Sequence, residues 1–269
     1  MIRKIALALL GMLTVGILVI GGTLFFLSKG EPPTAPEGEA AEALARRMEA
    51  AVGMQHWDDT AAVMFRFEGT RTSDHFIDLD RHLVEVTWGE DPGYRVQYDS
   101  RSWDYVAFLG AEELSGAAAR NAFESAYKYH VNDYFWFQPL ASLRSPGAKR
   151  GLAGERALLL SFESGGVTPG DRYLIIADQN DRPERWQMWV SVIPIQGVEF
   201  TMEDWQTTET GVTIPRLHRG ALFSIAFPVV KTFAEYPPPG EPDRFTPLLE
   251  HLARPHGPDV SRRSGGQTI

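Results

Sequence analysis

The residues that could support chemistry are scattered along this sequence. His75, Asp78, Asp80 and His82 lie close together, and mixed sets of imidazole and carboxylate groups can bind zinc or similar metals. A turn at Asp80-Arg81 would break the shared strand face on which such a site depends. The pattern therefore favours a solvated hairpin over a metal site.

The remaining motifs point away from catalysis. Ser164-Gly165-Gly166 is not part of a Gly-x-Ser-x-Gly motif, and no convincing base accompanies it,. The sequence also lacks a phosphate-binding glycine-rich loop and a dinucleotide fingerprint. We predict a protein that is not an enzyme and that needs no cofactor and no metal.

Aromatic side chains supply the strongest local signal. The segment from Tyr134 to Phe137 is entirely aromatic, and a later strand carries tryptophans on both faces. Such rings could line the mouth of an apolar cavity, where they bridge apolar and aqueous surroundings, or they could simply fill the core. The candidate cavity-lining residues are Phe65, Phe67, Tyr134, Phe135, Trp136, Trp186, Trp189 and Trp205.

Composition limits the class of protein. The chain has 269 residues, of which 43% are hydrophobic and 23% charged, as in a folded globular protein,. The net charge of −9 makes general nucleic-acid binding unfavourable,. The absence of cysteine excludes disulfides, thiolate metal sites and a cysteine nucleophile,.

The N-terminus predicts export. Arg3 and Lys4 precede an uncharged apolar run at residues 5–27, which as a helix of about 1.5 Å per residue would span about 34 Å. This exceeds the hydrocarbon core of about 30 Å, and basic residues stay on the cytoplasmic side. We expect a single-pass signal anchor in the membrane that bounds the cytoplasm, with the C-terminal domain exported to its other side. A cleaved signal peptide is the alternative.

Four segments follow from these patterns. Residues 1–29 are the predicted transmembrane signal anchor, and residues 30–38 form a Pro-rich linker that we expect to be solvated,. Residues 39–236 form the folded domain. Residues 237–269 are rich in Pro and Gly, and we expect this tail to be largely disordered,.

The periodicity of the folded domain indicates an α+β fold. A short amphipathic helix at residues 39–52 precedes strands of period two, an Ala-rich helix follows near residues 112–129, and strands return from residue 157,. We expect Asn132-Asp133 to end the Ala-rich helix, because both side chains readily form hydrogen bonds with local backbone. A large antiparallel sheet with only two helices must curl to bury its apolar face. We predict a curled antiparallel sheet of about ten strands, an unclosed barrel wrapped over a central helix and preceded by the N-terminal transmembrane helix.

That order of elements resembles the LolA/LolB lipoprotein-carrier superfamily. A closer resemblance is to uncharacterised bacterial exported proteins of the same shape. It rests on the segment Asn132-Asp133-Tyr134-Phe135-Trp136, on the turn from Thr168 to Asp171, and on the late tryptophans. The resemblance to the LolA/LolB superfamily implies an apolar cavity that accepts acyl chains, whereas the resemblance to the uncharacterised proteins bears on the fold more than on the role. No individual ligand-handling residue of the superfamily can be matched here.

Two functions remain open from the sequence, besides a less favoured envelope hydrolase. The first is a membrane-anchored periplasmic binder or carrier of lipid or of acyl-chain-like apolar ligands, such as a lipoprotein acyl chain. The alternative is a cell-envelope interaction protein with a filled core, a protein partner and no ligand. The space between sheet and helix distinguishes them, since only the first requires it to be open.

Overall fold

The computed structural model describes residues 28–162, 170–191, 193 and 195–254. The predicted signal anchor lies outside the described residues except for Ser28 and Lys29, as do residues 255–269 of the predicted tail. Among the helices that are described, none has the length and apolar character needed to span a bilayer.

The folded body begins with helix α1 (Glu39–Ala51), and its apolar side packs into the core as the sequence predicts. Leu44, Met48 and Val52 are fully buried. Gly53, with φ of 69°, ends this segment in the left-handed region that favours glycine,. A short 3₁₀ helix, Met54–His56, leads into the sheet.

The first half of the body is an antiparallel meander of six strands, in agreement with the predicted period of two. Val63, Phe65 and Phe67 point inward and are buried, as expected for a sheet with one face on the core. The strands are β1 (Ala62–Glu68), β2 (Thr72–Asp78), β3 (Leu83–Trp88), β4 (Tyr94–Asp99), β5 (Tyr105–Leu109) and β6 (Glu112–Glu113).

The central helix α2 (Gly116–Phe137) is longer than predicted. The sequence interpretation ended the helix at Asn132-Asp133, and this is wrong because the Asp133 side chain is buried and hydrogen-bonded to distant residues instead of local backbone. The aromatic segment therefore forms the last turns of α2, and a 3₁₀ helix, Pro139–Arg144, follows it.

The second half of the body supplies the other strands. β7 (Ala148–Gly154), β8 (Ala157–Phe162), β9 (Arg172–Ala177), β10 (Pro183–Trp189) and β11 (Val198–Thr201) form an antiparallel sheet in the order β11-β10-β9-β8-β7. β12 (Glu203–Thr207), β13 (Thr213–Arg219), β14 (Ser224–Ala226) and β15 (Val230–Phe233) return to the first sheet. β14 and β15 pair with opposite ends of β1.

The two sheets form one curled, unclosed wall around α2. Phe200 of β11 pairs with Gly220 beside β13, which brings the small sheet to the end of the large one. The architecture is thus α+β, with a large unclosed antiparallel sheet and a central helix, as predicted. The described residues contain more strands than the predicted ten, because strands such as β7 lack the alternating pattern that would reveal them.

The Pro-rich segment after the apolar run is mostly exposed, as a solvated linker would be, but it also packs on the outer face of the small sheet. We call residues 29–37 the strap. Ala35 packs with Leu159, Leu174 and Trp189 in a separate apolar cluster. Pro36 accepts a hydrogen bond of 2.9 Å from the backbone of Leu152.

Part of the predicted disordered tail is folded, which corrects the prediction for residues 237–254. Helix α3 (Thr246–Ala253) lies on the outer face of the large sheet. Phe245 and Leu248 are fully buried there, in a cluster with Phe76 and Val106. Burial of these apolar side chains offsets the entropy cost of ordering a Pro-rich segment.

Candidate ligand-binding cavity

A cavity of about 1230 Å³ lies between α2 and the curled wall. The C-terminal half of α2 forms one side, and the ends of β8, β9 and β10 form the opposite side. The end of α1 and the two 3₁₀ helices complete its boundary. The volume exceeds the range of about 300–1,000 Å³ that is usual for small-molecule sites.

The inner lining is aromatic and aliphatic. The side chains that share this apolar character are Met54, Trp57, Phe67, Val131, Tyr134, Phe135, Trp136, Phe162, Tyr173, Met188, Val190, Ile193, Phe223 and Ile225. They come from both halves of the chain, so the cavity exists only in the folded protein. A surface of this composition gains free energy by contact with apolar ligand atoms instead of water.

Apart from the buried Asp171, the charged lining residues occur where the cavity meets solvent. Arg46, Glu49, Lys128 and Arg144 belong to its lining and are partly or largely exposed. Arg144 donates hydrogen bonds of 2.8 and 2.6 Å to the two carboxylate oxygens of Glu49, which ties the second 3₁₀ helix to α1. The charge at this boundary is therefore partly neutralised within the protein.

Half of the residues named from the sequence lie together at this cavity. Phe67, Tyr134, Phe135 and Trp136 all line it. The three aromatic residues of α2 reach it because the helix continues to Phe137 instead of ending before them.

The other four candidates lie elsewhere. Phe65 is fully buried, with its ring stacked 4.2 Å from that of Phe137. Trp186 is also fully buried, behind the cavity wall. Trp189 points to the opposite face of β10, and Trp205 is half-buried with its indole N–H donating to the Met202 carbonyl oxygen at 3.1 Å.

The sequence interpretation missed several lining residues. Met188 and Val190 share a strand face with Trp186, so the two-residue alternation along the strand could have identified them,. Trp57 follows a 3₁₀ helix in a segment without periodicity, so no local pattern could have placed it. Tyr173 pairs its hydroxyl with Asp171 at 3.2 Å, which satisfies a polar group inside an apolar wall,.

A buried polar cluster lies behind the cavity and joins α2 to β2. Asp133 accepts hydrogen bonds from the hydroxyl of Ser73 at 2.6 Å and from Nε2 of His75 at 2.8 Å. Arg71 donates to the other oxygen of the same carboxylate at 2.7 Å, and its guanidinium lies 3.9 Å from the centre of the Tyr129 ring. The carboxylate is fully buried but well supplied with donors.

These surroundings determine the protonation of the cluster. Burial alone raises the pKa of Asp133, but the hydrogen bond and charge of His75, with the charge of Arg71, hold that pKa below its usual value,. Burial also lowers the pKa of His130, which lines the cavity, to about 3. His130 is therefore neutral at physiological pH.

The geometry of this cluster differs from that of a catalytic triad. Nε2 of His75 contacts both Ser73 and Asp133, whereas a triad uses the two ring nitrogens for different partners,. Ser73 and His75 are also closed to solvent. We interpret the cluster as the structural link that fixes the end of α2 against the sheet.

Of the four residues considered for a metal site, His75 and Asp78 have other partners, and Asp80 and His82 are exposed. His75 belongs to the buried cluster, and Asp78 accepts a hydrogen bond of 2.6 Å from Arg81. His82 is exposed, at a turn with φ of 60°. Within the part of the chain that the structure describes, no group of three or more histidine, aspartate or glutamate residues could hold a metal ion.

Comparison with known proteins finds several solved structures that are similar to this chain. No protein-family profile and no curated protein matches the sequence. A DUF1329 family protein from Desulfovibrio piger is 11% identical, with a TM-score of 0.38, and the match covers 77% of this chain and 97% of that chain. A LolA superfamily protein from Nitrosomonas europaea is 12% identical, with a TM-score of 0.40 and coverages of 72% and 94%.

The second of these proteins belongs to the superfamily that the sequence resembles. At this level of similarity neither structure indicates what this chain binds. That question depends on the cavity itself.

Proposed function

We propose that this chain is a membrane-anchored binder or carrier of lipid or of acyl-chain-like apolar ligands. The observation that supports the proposal is the cavity of about 1230 Å³, with its aromatic and aliphatic lining. The body would lie in the periplasm or outside the cell, attached to the inner membrane by the apolar run at residues 5–27,.

Apolar contact alone can provide the affinity. At about 25 cal/mol per Å², an acyl chain that buries roughly 300 Å² gains about 7 kcal/mol before the cost of ordering it. Binding of this kind needs no covalent chemistry, so the proposed function is not catalytic.

The alternative of an envelope interaction protein required a filled core. The large core cluster is well packed and includes Trp136 and Phe137 of α2, but an open cavity remains beside the C-terminal half of this helix. The open space favours a ligand over a protein partner as the occupant of this region.

Organic extraction of the purified full chain, followed by mass spectrometry, tests the proposal. We expect lipid or fatty acid to co-purify in a fixed ratio to protein, and the stripped protein to bind a hydrophobic dye at one saturable site. A protein that carries no lipid and shows no saturable dye binding would contradict the proposal.

A further inference from the structure

The position of the strap relates the cavity to the N-terminal apolar run. The backbone N–H of Lys29, two residues after that run, donates to the carbonyl oxygen of Gln196 at 2.8 Å. The indole N–H of Trp189 donates to the carbonyl oxygen of Gly30 at 2.6 Å. The start of the folded chain is therefore fixed to Trp189, at the end of β10, and to Gln196, before β11.

The strap is held at its other end as well. Glu37 pairs with Gly151 of β7, so the segment crosses the small sheet from β11 to β7. A Cβ at Gly197 would lie only 2.8 Å from Cβ of Lys29, so this glycine allows the close approach. A segment attached at both ends cannot act as a free spacer between the apolar run and the body.

The residues beside this attachment also belong to the cavity. Val190 and Ile193, which lie in the same connection as Gln196, contribute to the cavity lining. The lining thus reaches the place where the apolar run joins the body. Any membrane that contains residues 5–27 would lie close to this end of the cavity.

The neighbouring turn presents apolar side chains to solvent. Gly220 pairs with Phe200 of β11, and the ring of Phe223 packs 5.0 Å from that of Phe200. Leu222, which lies between Gly220 and Phe223 in the sequence, is 57% exposed, the highest value among the large hydrophobic side chains that the structure describes. We call Ile193, Leu222 and Phe223 the apolar rim.

We propose that the apolar rim is a membrane-contacting surface, and that the strap holds this end of the cavity against the lipid bilayer. The inference rests on the proposed function and adds the source of the ligand, which is a lipid of the membrane that anchors the chain. The ligand would pass between bilayer and cavity along the rim, without exposing its acyl chain to water.

The absence of cysteine makes a site-specific test direct. The full chain with Leu222→Cys, labelled with an environment-sensitive fluorophore, is reconstituted into vesicles of phosphatidylethanolamine, phosphatidylglycerol and bromine-labelled phosphatidylcholine. Leu249→Cys is the matched control, because Leu249 is also exposed but lies on α3, on the outer face of the large sheet. We expect several-fold stronger bromine quenching of the label at position 222 than at position 249.

A second variant tests the role of the strap. About twelve Gly and Ser residues inserted between Ser28 and Lys29 add a flexible span of about 20 Å and leave the docked strap unchanged. We expect the insertion to reduce the quenching at position 222 towards the value at position 249.

Three results would overturn the inference. These are equal quenching at both positions, quenching that the insertion leaves unchanged, and a disulfide-linked dimer formed through Leu222→Cys, which would identify a second copy as the partner. Lipid extraction from the same preparation distinguishes failure of the membrane contact from failure of the proposed function. If the protein carries lipid while the label at position 222 is exposed to water, only the membrane contact is contradicted.

Discussion

Asp133 accepts a hydrogen bond of 2.8 Å from Nε2 of His75, and both side chains are fully buried. The contact joins the end of α2 to β2 and thereby positions the aromatic residues that line the cavity on the same helix. Because Ser73 and Arg71 donate to the same carboxylate, the helix end depends on one acidic side chain.

Asp133→Ala is expected to destabilise the protein strongly. The substitution leaves Arg71, Ser73 and His75 without their common acceptor, and breaking a buried pair in this way costs about 3–5 kcal/mol. Asp74→Ala is the matched control, since Asp74 pairs with Arg66 on the surface and such pairs contribute about 0–1 kcal/mol. Unfolding in urea measures the free energy of unfolding of both variants. Equal losses would contradict the proposed role of the cluster.

The protein is expected to lose stability as the pH falls below about 6.5. Burial lowers the pKa of His130 from 6.5 to about 3 and that of His218 from 6.5 to about 4. Between these values the unfolded chain binds more protons than the folded chain, so the free energy of unfolding decreases by up to about 1.4 kcal/mol per pH unit for each group. The depressed pKa of Asp133 adds a further loss at still lower pH.

His218→Phe tests this pH dependence. His218 is fully buried among aromatic rings, including Trp136 at 5.4 Å between ring centres, so phenylalanine should fit while removing the titrating group. We expect a shallower fall in the free energy of unfolding between pH 6.5 and pH 4. His82→Asn, at an exposed position, should leave the slope unchanged. A slope that His218→Phe does not alter would contradict the assignment.

Val131→Glu is expected to weaken binding of an apolar ligand. Val131 lines the cavity, and a bound acyl chain would remove water from the new carboxylate. Burying a polar group without a partner costs about 1–3 kcal/mol, which corresponds to a loss of affinity of about tenfold or more. Ala118→Glu introduces the same charge at an exposed position of α2 away from the cavity. Dye-displacement titration compares the two, and equal affinities would contradict the cavity as the binding site.

Gly151→Ala is expected to release the strap. A Cβ at this position would overlap the carbonyl oxygen of Ala35, and such overpacking costs about 1–3 kcal/mol. In Gly154→Ala, on the same strand, the new Cβ would meet only the Cβ of Ala157 at 3.6 Å. A glutamate-specific protease should therefore cleave after Glu37, which pairs with Gly151, faster in the first variant than in the second. Equal cleavage rates would show that the strap is not held at Gly151.

The sequence was sufficient to predict the class of fold, because apolar residues recur every second residue in β1 and every fourth residue in α1, and such spacings can be recognised locally. Val63, Phe65 and Phe67 are buried as that period requires, and Leu44 and Met48 face the core. The strand pairing that curls the wall depends on distant residues, such as Phe200 and Gly220, and no local pattern encodes it.

The errors have a common physical origin in long-range contacts. Asn132-Asp133 resembles a helix end, yet the partners of Asp133 lie 58 to 62 residues earlier in the sequence. The Pro-rich strap resembles a solvated linker, yet Gly151 and Gly197 leave room for it on the sheet. Phe245 and Leu248 turn part of the Pro-rich tail into a packed helix.

The cavity was predicted only in part for the same reason. The aromatic segment of α2 was visible as a local cluster, and three of its residues line the cavity. Trp57 lines the same cavity because the chain turns towards it after α1, and the spacing of apolar residues does not reveal such a turn.

The most direct test of the central claim is equilibrium titration of the lipid-free full chain with a brominated fatty acid, followed by tryptophan fluorescence. Trp57 and Trp136 line the cavity, so a ligand within it would bring bromine into contact with both indole rings. The proposed function predicts saturable quenching at one ligand per chain, competed by the unbrominated fatty acid and weakened by Val131→Glu. Quenching that does not saturate, or that the unbrominated fatty acid does not reverse, would contradict it.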